Sequence, residues 1–301
     1  MDRKTLTGFI LIGAILLLWP SYLELVSPSE KTQEELVVPN QSLVDEYAQP
    51  DKPQANKPKT AISSAPTSSV EIDAGLFVTT INNSNGGSFA SYNLNDHLKE
   101  GESFLNLIDI NNSNNLTVSF IDQSGTVILL DDNWNLFSGA STKLNKENPS
   151  TTLSYYTFYK GKRIEKHITL NFNSYRMDVT VDLQNIKTES LDGKYTLTWD
   201  GGLPESEGKQ DAMFMEGLVG QAGNIESFRV GSAGFFGSSD TSKIEKETKQ
   251  YVGQSDFVGY RTKYFGMFFV PQKTDVVEIT KYPAVKRAAV DVSVSQDINF
   301  D

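Results

Sequence analysis

The chain has 301 residues and a formal net charge of −11, from 27 lysines and arginines against 38 aspartates and glutamates. It has no cysteine, which excludes a disulfide framework, a thiolate metal site and a cysteine nucleophile. The acidic residues are spread along the chain, so they disfavour nucleic acid or anionic lipid as a partner of the soluble part, and solubility explains them most simply.

The N-terminal segment predicts a membrane anchor within residues 1–26. Nineteen residues between Lys4 and Glu24 carry no charge, and as a helix they would span roughly 28 Å, about the thickness of the hydrocarbon core of a bilayer. Arg3 and Lys4 precede this segment and acidic residues follow it, which predicts a cytoplasmic N-terminus. We therefore expect residues 5–23 to lie in the bilayer and the rest of the chain to lie outside the cytoplasm.

A cleaved signal peptide is the alternative, because Leu6–Trp19 would serve as its apolar region. The residues after Trp19 offer no cleavage site of small residues, and Val26-Ser27 is followed directly by Pro28. A retained anchor is the favoured interpretation.

Residues 27–69 predict a disordered, proline-rich linker. They hold six of the eleven prolines and lack phenylalanine and tryptophan, so they cannot bury enough apolar surface to offset the entropy of ordering. Residues 70–301 then form the predicted folded part, whose length fits one large all-β domain or two small ones.

Apolar and polar residues alternate with a period of two in several segments of residues 70–301. This pattern is typical of antiparallel strands with one buried face and predicts an all-β fold, most simply a large twisted β-sandwich. The apolar positions are Leu116, Val118 and Phe120; Ile168, Leu170 and Phe172; Met177, Val179, Val181 and Leu183; Tyr195, Leu197 and Trp199; and Val290, Val292 and Val294.

Clusters of turn-forming residues separate these segments. They lie at residues 82–87, 111–115, 122–125, 171–175 and 200–204. Residues 217–237 are rich in glycine and are expected to form loops and bulges, whereas residues 241–250 have a helix-like composition.

Residues 257–271 stand out because their second half is almost continuously apolar. An apolar run of this length predicts a buried central strand, covered on both faces. On this basis Tyr264, Phe265, Phe268 and Val270 are expected to be core residues and not part of a ligand site.

We predict no catalytic, cofactor-binding or metal-binding residues. The two histidines, His97 and His167, are far apart in sequence, and His167 has the strand phase opposite to its apolar neighbours, so a structural role is favoured for it. The spacings typical of zinc proteases, serine hydrolases, P-loops and EF-hands do not occur in the sequence.

The anchor, the linker and three further segments together resemble the N-terminal part of the YidC membrane protein insertase family. The segments are a Gly-Gly turn entering a strand at 86–94 (GGSFASYNL), paired strands at 159–172 and 175–185, and Lys263-Tyr264-Phe265 leading to Pro271. The resemblance covers roughly residues 1–295.

The resemblance implies a periplasmic β-supersandwich, similar to galactose-mutarotase folds but without their catalysis, on a bacterial inner-membrane protein. It also implies a role in inserting and folding inner-membrane proteins through protein contacts, with nascent membrane proteins and Sec translocon components as partners. The insertase core of the family, a five-helix membrane domain, has no counterpart in these 301 residues, so we expect the chain as given to have no insertase activity.

Two other functions stay open from the sequence. One is a membrane-tethered carbohydrate-binding or mutarotase-like protein, which would need a histidine and a carboxylate converging in a cleft. The other is an envelope scaffold of a different kind.

Overall fold

The computed structural model describes residues 64–99, 103–108, 114–138, 142–204, 214–229, 246–284 and 287–298. These residues form eighteen strands and one short 3-10 helix, Gln184–Glu189, and contain no α-helix. The strands are β1 Ser69–Asp73, β2 Phe77–Asn82, β3 Ser88–Lys99, β4 Ser103–Asn106, β5 Asn115–Ile121, β6 Val127–Leu129, β7 Asn135–Leu136, β8 Ser150–Tyr159, β9 Lys162–Asn171, β10 Met177–Asp182, β11 Lys194–Trp199, β12 Glu216–Gln221, β13 Asn224–Arg229, β14 Glu247–Val252, β15 Phe257–Arg261, β16 Gly266–Phe269, β17 Val276–Ala284 and β18 Arg287–Asp297.

The predicted all-β class is confirmed. The strands form four antiparallel sheets, in the orders β1-β2-β3-β4 (sheet I), β10-β9-β8-β7 (sheet II), β14-β17-β18-β11-β5-β6 (sheet III) and β13-β12-β15-β16 (sheet IV). The predicted anchor, residues 1–26, and nearly all of the predicted linker lie outside the described residues. Within the described residues, no helix combines the length and the apolar character needed to cross a membrane.

The alternating segments fold as their pattern predicts. In β5, Val118 and Phe120 are buried while Ser119 between them is half-buried, although Asn115 and Thr117 on the other face are buried as well. In β9, Ile168 and Leu170 are buried and Thr169 is half-buried. One face of each strand therefore packs into the interior, as the period of two requires.

Two clusters of buried side chains hold the sheets together. The first joins sheets I and II to part of sheet III, through residues such as Phe77, Leu153 and Val118. The second joins sheet IV to the β17-β18 part of sheet III, through residues such as Val258 and Val292. Sheet III therefore contributes to both cores.

The Gly-Gly turn before β3 is closely packed between buried side chains. Gly86 and Gly87 have φ angles of +70° and +98°, which favour glycine. A Cβ on Gly86 would press on the indole of Trp134, and one on Gly87 would press on Tyr155 and Ile168. The turn thus needs glycine for its backbone angles and for the space it occupies.

Two segments differ from the sequence-based expectation. Residues 247–250 of the helix-like segment form part of β14, which pairs with β17 in sheet III. Much of the glycine-rich stretch forms the hairpin β12-β13 instead of a loop, and Gly217 and Gly220 lie in β12. In both cases pairing with a neighbouring strand supplies the hydrogen bonds that local composition did not indicate.

The prediction for residues 257–271 was wrong in its second half. β15 is central in sheet IV, and Val258 and Tyr260 are buried. β16, however, is the edge strand: Tyr264, Phe268 and Val270 are exposed by 54%, 42% and 75%. Of the four expected core residues only Phe265 packs against the cores, and it is partly buried. An apolar run is compatible with a strand covered on both faces and equally with an edge strand beside a cleft.

Candidate functional site

A cleft of about 1250 Å³ opens between two strand edges of the described residues. One wall is formed by residues 175–184, which include β10, and the other by residues 264–272, which include β16. Both strands are edges of their sheets. Since small-ligand pockets typically measure roughly 300–1,000 Å³, the cleft is larger than most of them.

The floor of the cleft is aromatic and aliphatic. Phe89, Tyr92 and Trp199 lie beside one another, with ring centroids 6.1 Å apart for Phe89–Tyr92 and 6.0 Å for Phe89–Trp199. The floor as a whole comprises Phe89, Tyr92, Leu94, Leu107, Ile108, Leu116, Tyr195, Leu197, Trp199, Leu203, Val294 and Ile298. These side chains come from sheets I and III and the residues that follow their strands, and most of them are buried members of the two core clusters.

The β10 wall combines half-buried apolar residues with exposed polar ones. Met177, Val179 and Val181 pack against the first core cluster, and the residues between them face outward. Among those, the Asp178 carboxylate accepts a hydrogen bond from the Arg176 guanidinium at 2.9 Å. The predicted alternation of β10 is therefore confirmed, and its apolar face lines the cleft.

The β16 wall is apolar on both faces. Phe265, Met267 and Phe269 pack against both core clusters. Phe268, on the other face, lies over Gly259 and Gly266, where a Cβ would collide with its ring. This packing explains why two glycines stand next to an exposed phenylalanine in an edge strand.

The charged side chains that line the cleft are mainly acidic, although Lys263 and Lys273 flank the β16 wall in sequence. Its lining contains three carboxylates, Asp178, Asp182 and Asp297, and one guanidinium, that of Arg176. The floor also carries a polar contact between the Gln296 amide and the Tyr195 hydroxyl. An apolar floor with an acidic margin favours apolar molecules that carry positive charge.

The histidines do not form a site in the cleft. His167 is absent from the cleft lining; its Nδ1 lies 2.8 Å from the Ser154 hydroxyl, and its Nε2 lies 3.5 Å from the Glu165 carboxylate. The side chain of His97 lies outside the described residues. Within the described part of the chain, no three histidine, aspartate or glutamate side chains are grouped to hold a metal ion.

Lys166 is a buried cation that sequence reasoning overlooked. Its ammonium donates hydrogen bonds to the backbone carbonyls of Asn85, Gly87 and Leu116, at 2.9, 3.2 and 2.5 Å. All three acceptor residues have positive φ angles, so irregular backbone points these carbonyls inward. Burial lowers the pKa of Lys166 to about 7, while the three acceptors match the three donors of the protonated ammonium. Its position in the apolar phase of β9, between Ile164 and Ile168, was the available signal.

Asp200 lies at the end of β11, next to Trp199 of the cleft floor. Burial, and secondarily the charge of Asp291, raises the pKa of Asp200 to about 7. Asp291 accepts a hydrogen bond from the Gly201 amide at 2.9 Å, and the Trp199 indole donates to the Gly202 carbonyl at 3.3 Å. Asp200 thus begins the turn that supports Trp199, and Asp291 of β18 accepts a hydrogen bond from that turn.

Comparison with known proteins identifies the family. The model of the YidC periplasmic domain matches residues 69–299, which contain all eighteen strands. The chain belongs to the YidC periplasmic domain family. The match begins at the first residue of β1 and ends just after β18, so the family domain and the folded domain coincide.

Relatives of this YidC-family chain carry the name membrane protein insertase YidC. The protein from Prosthecochloris aestuarii is 26% identical over 282 residues, covering 90% of this chain and 46% of the relative. Those from Chlorobaculum parvum and Chlorobaculum tepidum are 26% and 24% identical, covering 96% and 91% of this chain and 51% and 47% of the relatives. The chain therefore spans about half the length of the curated relatives it matches.

Proposed function

We propose that this chain provides the membrane anchor and periplasmic domain of a YidC-type membrane protein insertase, and that it assists insertion and folding of inner-membrane proteins through protein contacts. The observation that carries the proposal is the family match over residues 69–299. The names of the relatives support the insertase role. We propose no catalytic activity and no cofactor.

We further propose that the domain is a β-supersandwich of the galactose-mutarotase type. Four antiparallel sheets packed on two cores, with sheet III common to both, support this architecture. Residues 1–26 would be the single membrane anchor of this chain, residues 27–69 the linker, and residues 70–301 the periplasmic domain.

The cleft is the surface that we propose for protein contact. One wall presents exposed apolar side chains, those of Tyr264, Phe268 and Val270, and contiguous exposed apolar surface on a folded domain marks interaction sites. We propose that nascent inner-membrane proteins are the main partners, because their membrane-spanning segments are apolar and lie outside the bilayer until they are inserted. Contact with components of the Sec translocon is proposed from the resemblance alone.

Site-specific photo-crosslinking tests this role. A benzoylphenylalanine in place of Phe269, on the cleft wall, should crosslink to a ribosome-bound nascent chain of a single-span inner-membrane protein. The same probe in place of Phe158, which is exposed but absent from the cleft lining, serves as the control. Equal crosslinking from both positions would contradict the proposal.

The mutarotase-like alternative is not favoured. It requires a histidine and a carboxylate that converge on a sugar, and the described lining of the cleft contains carboxylates but no histidine. Titration of the full chain with galactose, followed by tryptophan fluorescence, should give no saturable change.

A further inference from the structure

The outer edge of β16 presents backbone groups that no described residue pairs with. Thr262 N–H donates to the Phe265 carbonyl at 2.8 Å, which makes these two residues a hydrogen-bonded pair of the β15-β16 ladder. In an antiparallel ladder such pairs alternate, so Met267 and Phe269 point their backbone groups at β15. Gly266 and Phe268 therefore direct their N–H and C=O groups away from sheet IV, along the cleft wall.

Apart from its length of only four residues, the edge of β16 lacks the features that usually prevent further pairing. Natural edge strands are blocked by charges, prolines or bulges. The segment from Tyr264 to Val270 has none of them: it contains no charged residue, and its only proline neighbour is Pro271 at the end. The register with β15 is regular throughout. β10, on the opposite wall, carries Asp178 and Asp182 and is the better protected edge.

The cleft beside this edge favours one class of occupant. A strand added to β16 would place every second side chain towards the apolar floor. The three carboxylates against one guanidinium in the lining favour basic residues at the ends of that strand. A second copy of this chain would bring its own uncharged β16 and a net charge of −11, which offers no such complementarity.

We propose that β16 binds an extended, apolar polypeptide segment with basic flanking residues by strand addition, so that the segment becomes the fifth strand of sheet IV and lies in the cleft. The inference rests on the proposed role of the cleft in protein contact and specifies how the contact is made. Backbone hydrogen bonds to Gly266 and Phe268 would supply affinity with little dependence on sequence. The cleft could then receive many different apolar segments.

Hydrogen–deuterium exchange on the full chain in nanodiscs tests the proposal. The probe is a synthetic peptide of about nine residues that alternates valine with threonine and ends in lysine on both sides. At about 1 mM peptide, the amides of Gly266 and Phe268 should become protected, whereas those of Met267 and Phe269 should change little because β15 already pairs with them. The same peptide with N-methyl groups on the amides of one edge should give at least about tenfold weaker protection.

Two substitutions of Phe268 distinguish a role of its backbone N–H in peptide binding from a role of its side chain. Phe268→Pro removes an outward N–H and leaves the bonds to β15, so it should weaken peptide binding by about tenfold or more. Phe268→Ala keeps the N–H and should bind within about threefold of the parent. If Phe268→Pro does not fold, the N-methylated peptide still provides the backbone test.

Three outcomes would overturn strand addition. They are the absence of protection at β16 at the highest peptide concentration, protection of β10 in place of β16, and protection that rises with protein concentration without peptide, which would indicate pairing between copies. Crosslinking of nascent chains to Phe269 without protection of β16 would leave the proposed function standing and remove only this mode of binding.

Discussion

At the scale of single residues, Lys166 and the turn before β3 stabilise each other. The turn needs positive φ angles at Asn85 and Gly87, and β5 needs one at Leu116, where the pairing with β11 is irregular. These conformations direct three carbonyls into the interior, where unpaired polar groups are costly. One lysine satisfies all three, so a buried charge stabilises backbone that regular strand pairing leaves open.

Lys166→Met should destabilise the domain strongly. It leaves three buried carbonyls without a donor, at about 1–3 kcal/mol for each, partly offset because the buried charge is removed, so we expect a net loss on the order of 3 kcal/mol. Urea unfolding measures it. Lys162→Met is the matched control: it removes a half-buried lysine paired with Glu189 and should cost less than about 1 kcal/mol. Equal losses from both variants would contradict the role of Lys166.

Asp200 should make stability depend on pH. Its pKa is about 7 in the folded chain and about 3.9 when unfolded. Its contribution to the free energy of unfolding is therefore fully present below about pH 4 and is lost as the pH rises to about 7. Asp200→Asn should remove this loss and make the variant more stable than the parent at pH 8. Urea unfolding at several pH values is the measurement. Asp178→Asn, at an exposed strand position, should retain the slope; a parent without the slope would contradict the prediction.

At the scale of secondary-structure elements, the position of an apolar strand within its sheet decides how much the strand contributes to stability. β2 and β16 both carry phenylalanine, but β2 is an inner strand of sheet I and β16 an edge of sheet IV. Phe77 is fully buried between its neighbours, with its ring 4.1 Å from that of Tyr92. Phe268 rests on glycines and remains partly open to solvent.

Phe77→Ala should therefore cost far more than Phe268→Ala. We expect about 3–5 kcal/mol for Phe77, whose removal leaves a cavity, and less than half of that for Phe268, whose space water can enter. Chemical denaturation of both variants under the same conditions is the measurement. A loss at Phe268 as large as that at Phe77 would mean that β16 is covered on both faces in solution.

At the scale of the whole molecule, the folded domain begins close to Ser69. The Ala65 amide donates to the Asn133 carbonyl, and the Ser68 amide donates to the Asn83 side chain. The chain is thus tied to sheet I shortly before β1. This agrees with the start of the family match at residue 69 and places these contacts of the domain inside the last residues of the proposed linker, residues 27–69.

Trypsin added to spheroplasts that express residues 1–301 alone should release the domain from the membrane. Within residues 51–69, Lys59 is the one lysine or arginine not followed by proline, so we expect a fragment that begins at Thr60, identified by mass spectrometry. Intact cells should protect the chain. In Lys59→Gln the fragment should begin at Thr32, after Lys31. Protection of the domain in spheroplasts would contradict the proposed topology.

The sequence by itself determined the all-β class, most of the turns and the strands with one apolar face. In β5 and β9 the alternation is local, because neighbouring side chains of a strand point to opposite faces whatever the strand pairs with. The turn at 122–125 is equally local, since the Asp122 carboxylate accepts hydrogen bonds from the Ser124 and Thr126 amides. The motifs that resemble the YidC family are local as well, because each lies within a short run of consecutive residues.

Tertiary structure alone decided where the apolar run at 264–271 lies and what Lys166 does. An uninterrupted apolar strand carries no information about which of its edges is paired, so its place at the rim of a cleft depends on how sheets II and IV are arranged. Lys166 acts on carbonyls 50 to 81 positions away in sequence. Contacts between residues so far apart in sequence form only when the sheets pack. The resulting burial lowers the pKa of Lys166 and creates the apolar lining of the cleft.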